Sequence, residues 1–313
     1  MRCATPRILL CVCLVALVHV GQLRGSEPVV PGTGVEITKV GDDFEDPEWE
    51  YYMKGAKSSK EMDERTRLPA GESKNKRWYE GVKRGHPDVV RRVPTPPGGL
   101  EGSTGALLLQ TLRPGIPGRL THRMQQDDFI CDVNYRLGGT LPVSRSPNFV
   151  VRVFLPPVDS WENRSGVHFG IRASVDTVGR EDNTYWPGMF VVFESKNEKR
   201  PDDYAFLRIR GDRRGRDYKS LQITQTGWWT FGMSFTPDGQ VHYYAKPGID
   251  DLTEEDHLGS EYPYGFRCYR FKTFFFDVCT HDNGRTWSTP FVIDDARLYY
   301  INTGMARTNR PRR

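Results

Sequence analysis

Apolar and polar residues alternate along most of the chain after residue 105, which is the pattern of half-buried β-strands. The alternation is clearest in residues 167–174, where Phe169 and Ile171 share one face of a predicted strand. His168 and Arg172 then fall on the opposite face. Residues 35–44 form the first predicted strand. The others are separated by turns rich in Pro and Gly and span residues 106–110, 129–137, 149–155, 167–174, 189–193, 204–210, 221–224, 229–235, 241–246, 271–279 and 291–300.

No segment of ten or more residues keeps a helical period, so the pattern predicts an all-β protein. Eleven or twelve short strands are typical of an antiparallel β-sandwich or of a β-propeller. A propeller consists of repeated blades, and the sequence shows no repeat with a period of about 40 to 50 residues. We therefore expect a β-sandwich, with the β-propeller as the alternative.

A single domain is predicted for residues 26–302. Residues around 53–77 carry few apolar side chains and form a predicted polar loop insertion within it. Residues 303–313 are rich in arginine and are predicted to be a disordered basic tail. The formal net charge is +4, part of it from this tail, and so modest an excess does not favour binding to nucleic acid.

The first 25 residues have the composition of a secretory signal peptide. Arg2 and Arg7 provide its positive charge, and the apolar stretch 8–20 is short for a membrane span. No later segment is apolar enough to cross a bilayer. The sequence therefore predicts a protein that is secreted or extracytoplasmic.

Three cysteines follow the predicted signal peptide: Cys131, Cys268 and Cys279. If residues 268–279 form one strand, Cys268 and Cys279 lie on opposite faces and about 35 Å apart, at about 3.3 Å per residue. That separation excludes a disulfide between them. Two alternatives stay open: Cys131 pairs with one of the others, or all three are reduced and buried.

Residues 280–287 match a turn motif at every fixed position, in the order Thr, any, Asp, any, Gly, any, Thr, Trp. The motif resembles the Asp box of sialidases and related secreted carbohydrate-active proteins. Asp282 is expected to accept hydrogen bonds from the turn, Gly284 to adopt a positive φ, and Trp287 to pack against the hairpin. We interpret these three residues as structural, because a single box in an unrepeated chain does not imply catalysis.

Short segments at both ends and in the middle of the chain resemble concanavalin A-like and laminin G-like domains; they are residues 42–46, 102–109, 228–244 and 293–299. The resemblance implies a jelly-roll sandwich whose closing strand pairs beside the first. Sandwiches of this kind often carry a structural calcium ion, and calcium prefers carboxylate oxygens. Asp42, Asp43 and Asp294 are the candidate ligands, and no other cofactor is expected.

The main functional interpretation is a secreted, non-catalytic module that binds a polysaccharide or other glycan, or another surface. Aromatic side chains stack on sugar rings, and the planar fork of arginine suits carboxylates or sulfates. The candidate carbohydrate-binding residues are Trp161, Trp186, Arg172 and Tyr204.

An enzyme acting on an acidic polysaccharide is the alternative, either a polysaccharide lyase or a glycoside hydrolase. Lyases of the jelly-roll fold need a group that neutralises a uronate, together with a base and an acid, which are commonly His and Tyr. The candidate residues for a lyase are His168, Arg208, Arg210, His242 and Tyr244. The Glu-x-Asp-x-x-Glu motif of endoglucanases with this fold is absent, since Glu61 and Asp63 are followed by Thr66.

Overall fold

The chain forms two antiparallel β-sheets packed face to face, in a computed structural model that describes residues 26–178, 184–199 and 201–302. This arrangement confirms the predicted β-sandwich and excludes the β-propeller. The predicted signal peptide and basic tail lie outside the described residues. No helix in the described ranges combines the length and the apolar character that a membrane crossing requires.

The described residues contain nineteen strands, numbered in chain order. They are β1 Val35–Glu36, β2 Tyr51–Tyr52, β3 Glu72–Ser73, β4 Trp78–Glu80, β5 Val89–Val93, β6 Ala106–Gln110, β7 Met124–Cys131, β8 Leu141–Pro142, β9 Asn148–Leu155, β10 Gly166–Val178, β11 Thr184–Tyr185, β12 Gly188–Glu194, β13 Tyr204–Ile209, β14 Tyr218–Ile223, β15 Gly227–Phe235, β16 Val241–Pro247, β17 His257–Glu261, β18 Arg267–His281 and β19 Phe291–Tyr300. Two short α-helices are α1 Lys60–Asp63 and α2 Asn134–Leu137; single 3-10 turns span Val143–Arg145, Val158–Ser160, Glu254–Asp256 and Pro263–Gly265.

Non-consecutive strands lie side by side in both sheets. The eight-stranded sheet has the order β17-β16-β15-β9-β19-β6-β5, with β1 paired to β19. The eleven-stranded sheet has the order β14-β13-β12-β10-β18-β7-β4-β3-β2, with β11 paired to β10 and β8 to β18. The three central strands β10, β18 and β7 therefore come from distant parts of the chain.

Aromatic side chains fill the space between the two sheets. The ring of Phe149 from the eight-stranded sheet stacks on Phe274 from the other sheet, with centroids 4.8 Å apart. Trp78 is fully buried and stacks on Phe129 at 4.6 Å. Such pairs combine a large apolar area with favourable ring geometry, so they hold the two sheets in one register.

Several predicted elements agree closely with the structure. Residues 106–110 form β6 at the predicted bounds, and Thr236 and Gly239 close the predicted hairpin between β15 and β16. The closing strand pairs beside the first, since Val35 lies opposite Tyr300. These elements share one property: their local sequence pattern agrees with the tertiary structure.

Three predicted strands differ from the structure. Residues 35–44 were expected to form one strand, but β1 covers only Val35–Glu36. Residues 129–137 were expected to form one strand, but β7 ends at Cys131 and α2 follows. In β10 a bulge between Val167 and Phe169 exchanges the predicted faces of Val167 and His168, whereas Phe169 and the residues after it keep theirs. Val167 joins an apolar cluster on the outer face of its sheet, while His168 packs inward against Phe193. A bulge inserts one extra residue, so the alternation before it is out of step with the alternation after it.

The structure agrees with the second alternative for the cysteines, in which all three are reduced and buried. Cys131, Cys268 and Cys279 are all unpaired and buried. Cys268 belongs to the core between the sheets and Cys279 to the outer cluster, as opposite faces of β18 require. Burial raises the pKa of each thiol, so these cysteines behave as small apolar residues rather than as nucleophiles.

Gly41 and Gly102 have the same backbone conformation, but only Gly41 packs closely against the last strand. Their φ angles are 78° and 79°, but a Cβ on Gly41 would lie 1.9 Å from the carbonyl oxygen of Ala296, whereas a Cβ on Gly102 meets nothing within 4 Å. We expect Gly102→Ala to cost about 1 kcal/mol, the strain of a positive φ alone. Gly41→Ala should cost about 3 kcal/mol or more, because overpacking adds to that strain. Urea unfolding of both variants measures the difference, and equal losses would contradict it.

Candidate functional site

The outer face of the eleven-stranded sheet carries a groove of about 540 Å³, which we call the carboxyl groove. Its floor is formed by strands at the centre of the sheet and its rim by α1, the turn after β4 and the residue after β11. Its lining includes the charged and aromatic residues Glu61, Tyr79, Lys83, Arg84, Asp128, Trp186 and Lys272.

Two buried carboxyl groups lie next to each other at the floor of the groove. Asp128 in β7 is paired directly with Asp277 in β18, and both side chains point away from the apolar core. Cross-strand neighbours bring their side chains close together. Their exposed fractions are 5% and 0%, so neither charge is screened by bulk water.

Asp128 is the protonated member of this pair. Burial and the charge of Asp277 raise the pKa of Asp128 well above its ordinary value, and a hydrogen bond to Asp277 raises it further. Oδ1 of Asp277 is buried without a hydrogen-bond partner among the described residues. Adjacent buried carboxylates repel each other's charge, which favours a proton on one of the two.

Arg172 holds Asp277 in place from the neighbouring strand β10. Its Nη1 donates to Oδ2 of Asp277 at 3.0 Å, and its Nη2 donates to the carbonyl oxygen of Trp186 at 3.0 Å. The guanidinium lies over the rings of Phe190 and Phe275, at 5.5 and 5.2 Å from their centroids. Arg172 therefore places a positive charge directly against Asp277, on the side away from Asp128 in β7.

Arg84 joins Asp128 to a second acidic group at the rim. Its Nη1 lies 3.6 Å from Oδ2 of Asp128, and its Nη2 donates to Oε1 of Glu61 at 3.0 Å. The two carboxyl groups thus lie on two sides of one guanidinium. The side chain of Glu61 is 47% exposed, and both of its carboxylate oxygens accept from Arg84.

Cationic and aromatic side chains line the rim. The ammonium of Lys83 lies 3.9 Å from the centroid of Trp186, and Lys272 donates to Asp176 at 3.2 Å. Tyr79 is 36% exposed, and burial raises the pKa of its phenol, so the phenol stays protonated. The rim can therefore attract an anionic ligand and also contact the flat face of a ring.

The predicted carbohydrate-binding residues occupy different places. Arg172 and Trp186 belong to the carboxyl groove. Tyr204 lies on the same sheet face but further out, where its ring stacks on Phe206 at 5.8 Å. Trp161 is 5% exposed and packs in the core, its indole N–H donating to the carbonyl oxygen of Pro156. A loop tryptophan is thus not necessarily a surface residue.

The five residues predicted for a lyase do not form one site. Arg208 and Arg210 lie on the outer face of the eleven-stranded sheet, whereas His242 and Tyr244 lie on the outer face of the other sheet. His168 lies between the sheets, where its ring nitrogens contact Thr289 and the carbonyl oxygen of Arg164. Burial lowers the pKa of His168 to about 3 and that of His242 to about 4.

Two of the three predicted calcium ligands lie close to each other, and the third does not join them. Asp43 and Asp294 line a depression of about 250 Å³ beside Glu45. The carboxylate of Asp42 is engaged elsewhere, since its Oδ2 accepts from the indole of Trp49 at 2.9 Å. Within the described ranges no three His, Cys, Asp or Glu side chains are placed to hold a metal ion. The calcium site therefore stays a prediction.

The hairpin at residues 280–287 is held differently from the expectation. Asn283 accepts the turn hydrogen bonds, from the backbone N–H groups of Arg285 at 2.8 Å and Thr286 at 3.0 Å. Asp282 instead accepts from the backbone and hydroxyl of Thr121, at 2.7 and 2.8 Å. Gly284 has the expected positive φ of 65°, but Trp287 is 42% exposed. Asp282 thus anchors a distant loop to the hairpin.

Sequence reasoning missed Asp128, Asp277 and Arg84. One local signal was available, because Asp277 interrupts the apolar run 274–278 at an outward-facing position. A carboxylate in such a place needs a partner. The partner itself is not visible locally, since β7 and β18 meet only in the folded sheet.

Comparisons with known proteins give structural likeness only. No family model matches the sequence, and no curated protein was found to be related. A carbohydrate esterase from Shiga toxin-encoding bacteriophage phi24B is 10% identical, with 81% of this chain and 100% of that chain covered and a TM-score of 0.44. An alginate lyase from Pseudomonas aeruginosa is 9% identical (68% and 86% covered, TM-score 0.40), and an endo-β-1,4-glucuronan lyase from Trichoderma reesei is 10% identical (71% and 94% covered, TM-score 0.37). These values are too low to transfer an activity.

Proposed function

We propose that this protein is a secreted enzyme that degrades an acidic polysaccharide in the carboxyl groove, by elimination at a uronic acid residue. One observation carries the proposal: Asp128 is a carboxylic acid kept protonated by burial and by Asp277, and it lines an open groove. A carboxyl group with a strongly raised pKa in a groove is suited to donate a proton at neutral pH.

The groove offers a group for each step of the elimination. The exposed carboxylate of Glu61 accepts the proton from C5, and the electrons of that C–H bond form the double bond between C4 and C5. The C4–O bond breaks, and Asp128 gives its proton to the leaving oxygen. Arg84 stands between these two groups and holds them in place, and Lys83 on the rim binds the uronate carboxylate.

The contact between Asp128 and Asp277 disfavours hydrolysis by these two groups. Glycosidases that retain configuration keep their two carboxyl groups about 5 Å apart, and those that invert it keep them further apart still. Asp128 and Asp277 instead lie directly opposite each other on adjacent strands. Asp277 is therefore the positioning partner of Asp128 and not a nucleophile.

The test is incubation of the mature protein with polymannuronate, polyguluronate, polygalacturonate, glucuronan and a neutral β-glucan. Elimination produces an unsaturated uronate, which absorbs in the ultraviolet, whereas hydrolysis produces reducing ends without that absorbance. We expect the absorbance to rise with at least one uronic polymer and not with the neutral glucan. New reducing ends without absorbance would contradict elimination, and no product from any polymer would contradict an enzyme on these substrates.

Binding without catalysis is the second candidate function, because the half-buried Trp186 places an aromatic ring in the same groove. The same incubation separates the two. Retention on a uronic polymer that is lost in Trp186→Ala, with no product in either protein, favours the binding module.

A further inference from the structure

Three positively charged side chains lie on the outer face of the eleven-stranded sheet, beyond the carboxyl groove. Arg208 in β13 lies directly opposite Lys219 in β14, and Arg210 follows the end of β13. The ammonium of Lys219 lies 4.9 Å from the ring centroid of Phe206. The guanidinium of Arg210 lies 5.9 Å from the ring centroid of Phe190. Both rings belong to the apolar cluster on the outer face, and we call the three cations above them the cationic strip.

The charges of the cationic strip are poorly balanced by acidic groups. Among the described residues no carboxylate pairs with Arg210 or Lys219. Arg208 has only the exposed Asp217, at 3.8 Å. Like charges directly opposite each other on adjacent strands destabilise a sheet, so an anion bound on this face would offset an unfavourable arrangement. The guanidinium nitrogens of Arg210 are not buried and Lys219 is exposed, so a ligand can reach both.

The register of the strands connects the cationic strip to the carboxyl groove. Phe275 in β18 lines the groove and lies opposite Arg172 in β10, which in turn lies opposite Gly188 in β12. The backbone N–H of Arg210 donates to the carbonyl oxygen of Gly188 at 3.0 Å. Neighbouring strands lie about 4.8 Å apart, so Arg210 is about 14 Å from Phe275 across the sheet, and Lys219 is one strand further. A chain lying across the strands therefore passes from the groove to the strip.

A chain with repeated carboxylates fits this arrangement better than a neutral glycan does. The planar fork of arginine binds a carboxylate through two parallel hydrogen bonds, whereas the hydroxyl groups of a neutral sugar leave its charge without a partner. A polyuronate carries one carboxylate on each sugar residue. One such chain can present anions to the groove and to the strip at the same time.

We propose that the cationic strip is a second binding region for the acidic polysaccharide, where Arg210 and Lys219 bind the carboxylates of uronate residues distant from the bond in the carboxyl groove. Arg208 adds to the positive potential beside them. The strip thereby selects long acidic chains and sets their direction across the sheet. The inference rests on the proposed function for the identity of the polymer, whereas binding at the strip requires no catalysis.

The experiment measures binding of hexamannuronate and hexagalacturonate by calorimetry. All proteins carry Asp128→Asn, which keeps the probes intact. We expect at least one hexamer to bind. Arg210→Gln combined with Lys219→Gln should weaken that binding about tenfold, the effect of two exposed ion pairs that together contribute about 1.4 kcal/mol. Neither residue belongs to the apolar core, so the variant should fold like its parent.

Arg91→Gln combined with Lys39→Gln is the matched control, because it removes one exposed arginine and one exposed lysine beside the other sheet. Its affinity for the hexamer should not change. If no hexamer binds, if the strip variant binds as tightly as its parent, or if the control loses affinity equally, the proposal is wrong. Loss of affinity in the strip variant, with no elimination product from the wild-type protein, supports the strip and contradicts only the proposed elimination.

Discussion

Asp128→Asn is expected to lower the rate of uronic polysaccharide breakdown by about 10²- to 10⁴-fold, the range for loss of a general acid. The substitution preserves the shape of the side chain, but the amide has no acidic proton to give to the leaving oxygen. Folding stability should stay the same or rise slightly, because a buried carboxyl pair is removed. Initial rates and urea unfolding of the same preparation measure the two effects.

Asp159→Asn is the matched control. Asp159 is exposed on the 3-10 turn Val158–Ser160, so this substitution makes the same chemical change outside the groove. Its rate should equal that of the wild type. The wild-type rate should also fall at alkaline pH, because Asp128 must keep its proton to act. A rate for Asp128→Asn within about threefold of the wild type would remove Asp128 from the mechanism.

Lys57→Met is expected to destabilise the protein by about 3–5 kcal/mol near neutral pH, the cost of leaving buried charges without a partner. The ammonium of Lys57 contacts Asp88 at 2.9 Å and Asp127 at 2.6 Å, and the side chain of Asp127 is fully buried. This cluster ties the polar insertion to β7, so its loss should also loosen residues 53–57. Urea unfolding gives the change in free energy.

The loss of stability caused by Lys57→Met should be larger at alkaline than at acidic pH. Burial raises the pKa of Asp127 from 3.8 to about 7, even though Lys57 opposes the rise. The folded state therefore binds this proton more tightly than the unfolded state, and the stability that it contributes is lost as pH rises from about 4 to about 7. Without Lys57 the pKa rises further, so the destabilisation should be larger at about pH 8 than at about pH 5.

The double variant Lys57→Met with Asp127→Asn is the control for this interpretation. Removing the second charge should restore part of the lost stability and flatten the pH dependence. If the double variant is no more stable than Lys57→Met, or if the loss is the same at both pH values, the buried ion pair is not the cause.

Local alternation predicted most strands because the period of two is a property of each segment by itself. β6 and the β15–β16 hairpin illustrate this, since no distant contact alters their pattern. The same reasoning assigned Arg172 to a polar face, and Trp186 was chosen as a loop aromatic; Trp186 lines the carboxyl groove and Arg172 donates to its carbonyl oxygen. Trp161 and His168 were expected at the surface but are buried. The burial of a loop and the position of a bulge depend on the neighbouring strands, which local alternation does not show.

The sequence alone determined that this chain is an antiparallel β-sandwich and located most of its strands, and a family resemblance implied that its first and last strands pair. Only the tertiary structure decided which polar residues meet. Asp128 and Asp277 become buried neighbours because β7 and β18 are adjacent in the sheet. His242 and Arg208 stay apart because their strands belong to different sheets. Alternation specifies the face of a strand, whereas strand order depends on contacts between distant segments, and those contacts create the candidate site.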